Sequence, residues 1–102
     1  MNYINFLLPQ IVILCQKYNV NKLYVFGSVL GNKFNENSDI DLIVDFDKGK
    51  ITDYFNNFFD FKYSLEDVFE RKVDLLEEQP IKNKYLKESI ENSKQLIYGQ
   101  QN

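Results

Sequence analysis

The sequence contains no histidine, a single cysteine, two prolines and four glycines in 102 residues. Each shortage removes something. Without an imidazole there is no Ser-His-Asp or Cys-His catalysis, and a catalytic zinc site loses its commonest ligand. The lone Cys15 cannot close an internal disulfide, which points to a reducing, cytoplasmic setting. It falls in a helical apolar pattern, where packing is the expected role of the thiol. Positive charge is also scarce: 12 Lys and Arg stand against 15 Asp and Glu, a net charge of −3. That balance argues against direct binding of nucleic acid, which needs a basic face, but is compatible with a small nucleotide carrying its own cation. No apolar run is long enough to span a bilayer, so no membrane role is expected. The apolar start, residues 1–14, lacks the positive opening and small-residue cleavage site of a signal peptide, and Asn5, Pro9 and Gln10 interrupt it.

What remains is a globular composition, 44% apolar and 26% charged, with nine Phe and seven Tyr. So many aromatics imply a dense core or a surface that holds a partner. A chain this long builds one modest core, so residues 1–102 are expected to form a single domain. Apolar residues at Leu8, Ile11, Val12, Leu14, Cys15 and Tyr18 predict a first helix over residues 9–18, with Pro9 in its first turn. Leu23 to Phe26 reads as a short strand. A short helix is expected over 28–31, a polar loop over 32–38 and a strand over 40–46. The spacing of Ile51, Tyr54, Phe55, Phe58, Phe59, Leu65, Val68 and Phe69 predicts a long amphipathic helix ending near Arg71. A third strand is expected over 72–76, then a last helix from Asn83 to about Tyr98, stopped by Gly99. The order implies a small mixed α/β (α+β) domain with a three-stranded sheet and about four helices packed on it.

Most of the chemistry lies between Phe26 and Phe46. Gly27 and Ser28 end the first predicted strand; Asp39 and Asp41 open the second. Side chains alternate across a strand, so Asp39 and Asp41 share a face, about 6 to 7 Å apart along it. Carboxylates so placed can share a hard cation such as Mg²⁺, which is commonly held by one or two of them plus substrate phosphates. Ile40, Leu42, Val44 and Phe46 would point to the core, and Asp45 is expected to be solvated rather than a ligand. A glycine at a strand end opening into a helix leaves backbone N–H groups and the Ser28 hydroxyl where a phosphate could dock. A third carboxylate, Asp74, lies among Val73, Leu75 and Leu76, where burial is costly unless it is paired or bound to a cation.

Gly-Ser, a spacer of ten residues and Asp-x-Asp opening an apolar strand resemble the signature of the nucleotidyltransferase superfamily related to DNA polymerase β. At this length the chain is most similar to its minimal nucleotidyltransferase (MNT) group, often encoded beside a HEPN-domain partner. The resemblance implies Mg²⁺-dependent transfer of AMP from ATP to a hydroxyl, with two ions. Asp39, Asp41 and Asp74 would serve as the catalytic and metal-binding carboxylates, and Gly27 and Ser28 as nucleotide-binding residues. It further implies an antitoxin that adenylylates a tyrosine of a HEPN toxin, and an assembly with that partner. Two alternatives remain: a binding module that masks its partner, and transfer to a small molecule such as an aminoglycoside. One departure stands out: many members carry Arg-Gly where this chain has Gly31-Asn32, with Lys33 next to it.

Overall fold

In the computed structural model, residues 2–26, 39–78 and 94–99 are described. The order is α1 (Asn2–Lys17), β1 (Val20–Phe26), β2 (Ile40–Phe46), a 3₁₀ turn (Lys48–Lys50), α2 (Tyr54–Phe69), β3 (Val73–Glu77) and β4 (Gln95–Tyr98). The four strands form one sheet in the order β3-β2-β1-β4. β1 pairs antiparallel with both β2 and β4, whereas β2 and β3 run parallel, joined by the crossover that carries α2. None of the helices among the described residues is long and apolar enough to cross a membrane.

One face of the sheet carries the core. Leu23 and Val25 of β1, Ile40, Leu42 and Val44 of β2 and Val73 of β3 are 2% exposed or less; from the helices Ile4, Ile11, Cys15, Phe61 and Leu65 meet them at the same depth. Phe46, at the end of β2, packs edge-on against Tyr54 and Phe61 with ring centroids 5.6 Å away in both cases. α2 is started by Asp53, whose carboxylate accepts from the Asn56 amide. It is ended by Glu70 in the left-handed conformation at φ 56°. The aromatic residues divide as the composition suggests: Phe46, Phe61 and Phe69 are buried, while Phe55 and Tyr63 stand 69% and 55% exposed.

Two expectations are corrected. The first helix does not begin at Pro9 but runs through it, from Asn2. A proline inside a helix forfeits one hydrogen bond to the residue four earlier. Here that residue is Asn5, exposed like Pro9, so water can serve its carbonyl. The extra turns bury Ile4 and Leu7, at 1% and 7% exposure, which offsets the loss. At the other end, Gln95–Tyr98 is no helix terminus but a fourth strand, so the sheet has four strands rather than three. Backbone pairing with the open edge of β1 decides the matter for Gln95–Tyr98, the last four residues of the expected helix. Gly99 accordingly ends a strand: it sits at φ +100°, and a Cβ there would collide with the Asn21 carbonyl oxygen. Two α-helices are found among the described residues; the helix expected over 28–31 and residues 83–93 of the last expected helix lie outside them.

Candidate active site

The second face of the sheet carries the acidic residues, and strand register decides which of them meet. In the parallel ladder Asp41 lies directly beside Asp74, flanked by Ile40 beside Val73 and Leu42 beside Leu75. Side chains at paired positions leave the sheet on the same side, so the two carboxylates stand one strand spacing apart, about 4.8 Å between backbones. Asp39 immediately precedes β2 and falls on the same side as Asp41 by alternation. Asp41 is half-buried, while Asp39 and Asp74 are exposed. On the other flank Asp41 faces Phe26, the last residue of β1. Because β1 ends where β2 and β3 begin, all these positions gather at one end of the sheet. Gly27 and Ser28, which follow Phe26 in the chain, lie outside the described residues.

Local bonds hold the two strand starts level. The Ile40 amide donates to the Lys72 carbonyl at 3.0 Å, and farther along the Glu78 amide donates to the Val44 carbonyl at 2.8 Å. The Val73 amide donates to Oε2 of Glu66 on α2 at 3.0 Å. Nothing in the helical pattern distinguished Glu66 from an ordinary surface carboxylate. Its partner became visible only once α2 and β3 were placed side by side.

Among the described residues no group of three His, Cys, Asp or Glu side chains is gathered closely enough to hold a metal ion by itself. Asp39, Asp41 and Asp74 are thus not gathered as a three-carboxylate cluster; Asp41 and Asp74 alone are paired side by side. This fits Mg²⁺, which keeps several waters and takes the rest of its shell from phosphates, and an oxygen-only donor set suits it. Asp45 is separate: it lies farther along β2, opposite Lys22, and does not join the pair.

Two ionisable groups away from these carboxylates are strongly shifted. Burial pushes the Cys15 thiol from its ordinary 9.0 up to about 12, which leaves it inert. Burial and the neighbouring Glu77 carboxylate push the Tyr54 phenol well above its usual range. Glu77 in turn pairs with Lys48 at 2.6 Å. A shallow polar cleft, lined in part by Asn19, Asn21, Asp47 and Lys50, opens at the far end of the sheet and contains none of the expected site residues.

With this geometry in hand, comparison with known proteins is decisive. The family described as nucleotidyltransferase domain matches residues 10–97. The chain belongs to that family. The nucleotidyltransferase is similar to two Methanocaldococcus jannaschii proteins that bear the provisional name protein adenylyltransferase. One is 43% identical over 86 residues, covering 84% of this chain and 83% of the relative. The other is 38% identical with the same coverage. Among solved structures, one described as a minimal nucleotidyltransferase, again provisionally, superposes with TM-score 0.66 at 26% identity, covering 85% of each chain. A toxin–antitoxin structure with AMP-PNP gives TM-score 0.69 at 21% identity, covering 92% of this chain and 74% of that one. A tri-AMPylated Shewanella oneidensis HEPN toxin in complex with MNT antitoxin gives 0.63 at 17%, covering 94% and 72%. The last two likenesses concern the fold. The expected nucleotidyltransferase architecture is thus correct, with one strand more than expected.

Proposed function

We propose that this nucleotidyltransferase transfers AMP from ATP to the hydroxyl of a tyrosine on a HEPN-domain toxin and thereby silences it. The observation that carries the reading is the register that sets Asp41 beside Asp74 at the strand end next to Phe26. The names borne by the similar proteins, protein adenylyltransferase and MNT antitoxin with an AMPylated HEPN toxin, support the reaction and the acceptor.

Asp39, Asp41 and Asp74 would hold divalent metal, which when bound supplies neutralisation of the triphosphate's charge and of the charge that develops on the leaving group. In the transfer, the acceptor oxygen forms a bond to the α-phosphorus and the bond from that phosphorus to the bridging oxygen of the β-phosphate breaks. Pyrophosphate departs with the bond's electron pair. Asp74, exposed at the edge strand, would take the acceptor's proton. Gly27 and Ser28 would receive phosphate oxygens. Phe55 and Tyr63 offer an exposed aromatic surface to the partner protein.

The test is incubation of the purified protein with labelled ATP, Mg²⁺ and the protein encoded beside it. Label should pass to a tyrosine of the partner and be lost in Asp41→Asn. No transfer, or transfer indifferent to that substitution, would sink the assignment. If an Asp39→Asn/Asp41→Asn double variant still protects cells fully, the protein masks its partner and does not modify it.

A further inference from the structure

A nucleoside triphosphate beside three carboxylates brings more negative charge to one end of the sheet than a pair of divalent ions removes, so a fixed cation there would strengthen binding. Strand register supplies one. The β1–β4 ladder pairs Tyr24 with Leu96 and Val25 with Gln95. Continued one step past its last pair, the same register would bring Lys94, which immediately precedes β4, level with Phe26. Phe26 lies opposite Asp41, and Asp41 beside Asp74. Lys94, Phe26, Asp41 and Asp74 therefore form one row across the four strands. Two strand spacings, about 10 Å, separate the backbones of Lys94 and Asp41. That gap is within the combined span of a lysine stem and a chain of phosphates.

The side chain lies over the carboxylate-bearing face. Lys94 Nζ sits 4.3 Å from the ring centroid of Tyr24, whose strand partner Ile43 belongs to that face, and 3.7 Å from Glu78 Oε1. Lys94 is also sheltered: its side chain is 17% exposed, against 66% for Lys48 and 71% for Lys50. The ring fixes the stem and ammonium over the face. The ion pair is loose, because Glu78 is 37% exposed and pairs of that kind contribute little. Exchanging the Glu78 carboxylate for a phosphate oxygen is therefore cheap, and the phosphate offers more charge.

We propose that Lys94 is a nucleotide-binding residue, released by Glu78 to bind a non-bridging oxygen of the triphosphate. The inference rests on the proposed reading of the carboxylate row as a nucleotide site. It says which cation of this chain completes that site.

The test reads binding as well as turnover. Folded wild-type protein is pulsed with an amine-acylating reagent alone, with Mg²⁺ and ATP, or with adenosine, and acylated lysines are quantified by mass spectrometry. Mg²⁺ and ATP should slow acylation of Lys94 several-fold, adenosine should not, and Lys48 and Lys50 should be unaffected. Calorimetry should find ATP affinity lowered about tenfold in Lys94→Met, the order expected for one charge-assisted bond. The loss should appear chiefly in KM, with Lys94→Arg close to wild type and Glu78→Gln binding at least as tightly. ATP binding by the wild type without protection of Lys94, or unchanged affinity in a folded Lys94→Met, would overturn this inference alone. Absence of any ATP binding would overturn it together with the nucleotide site. Should Lys94→Met fail to fold, the wild-type protection experiment decides.

Discussion

Replacing Glu66 with alanine would separate the scaffold of the site from its chemistry. Val73 is 2% exposed, and its amide donates to Glu66 Oε2 at 3.0 Å. β3 is an edge strand, so no further strand competes for that amide. Leaving a buried donor without its acceptor costs about 1–3 kcal/mol, and because Glu66 is only half-buried, water can enter and the lower half, about 1–1.5 kcal/mol, applies. For a domain of this size that lowers Tm by roughly 4–12 °C. Asp74 is the next residue, so loosening the start of β3 displaces a carboxylate of the proposed site, and a shift of about 1 Å is enough to slow a transfer on the order of 100-fold. The expected result is a large fall in kcat at temperatures where the variant is still fully folded, with Glu66→Gln, which keeps an oxygen acceptor, recovering most of both losses. Thermal unfolding followed by circular dichroism gives the first quantity, and single-turnover transfer of labelled AMP to the partner gives the second. A variant that melts lower but turns over at the wild-type rate would refute the claim that this bond positions Asp74.

Leu65→Ala, at a side chain with no exposure, should lower stability by about 2–5 kcal/mol in chemical denaturation. Glu70→Gly should raise stability by up to about 1 kcal/mol, because a glycine adopts the left-handed helix end at φ 56° without steric cost; a drop would show that the Glu70 side chain contributes something else. Gly99→Ala should weaken the seat of β4 on β1, visible as faster amide exchange along both strands. Cys15 is buried with its thiol held protonated up to about 12, so folding favours the neutral form. That contribution is complete below its ordinary 9.0 and is lost as pH climbs from about 9 toward 12. Iodoacetamide at pH 8 should accordingly label Cys15 in urea and spare it in the native protein. A Phe55→Ser/Tyr63→Ser double variant should lose co-purification with the proposed toxin partner while keeping its own Tm, since both rings are largely exposed.

What could be read from the chain depended on how local each decision was. The bounds of β2 follow from an apolar run bracketed by aspartates, with alternation broken only at Ile43, and the structure reproduces them as Ile40–Phe46. Asp74 could be singled out as a carboxylate in an apolar strand, but the burial cost that argument invoked does not arise, because Asp74 is exposed. That it lies beside Asp41 and not one residue away is a fact of register, which no local pattern contains. The extent of α1 was obscured by Pro9, whose local cost is overridden by the burial of Leu7 and Ile4, two and five residues before it. β4 was misread for a related reason: Gln95–Tyr98 is too short to show its own period, and its identity comes from the open edge of β1.

The same register explains how the placement of Asp41 beside Asp74 is held. Sliding β3 by one residue against β2 would turn Asp74 into the core and bring Val73 and Leu75, now 2% and 7% exposed, out to solvent. Exposing two such side chains forfeits about 3–6 kcal/mol, and burying a carboxylate among Leu42, Leu65 and Phe69 adds a further penalty of several kcal/mol. Together these rival the whole stability of a domain of this size. The alternative pairing is thus excluded by the hydrophobic face, which touches neither nucleotide nor metal. The placement of Asp41 beside Asp74 on one face is inherited from the packing on the other. Substitutions in the core at Val73 or Leu75 should therefore disturb the reaction through register, in proportion to how far they relax that exclusion.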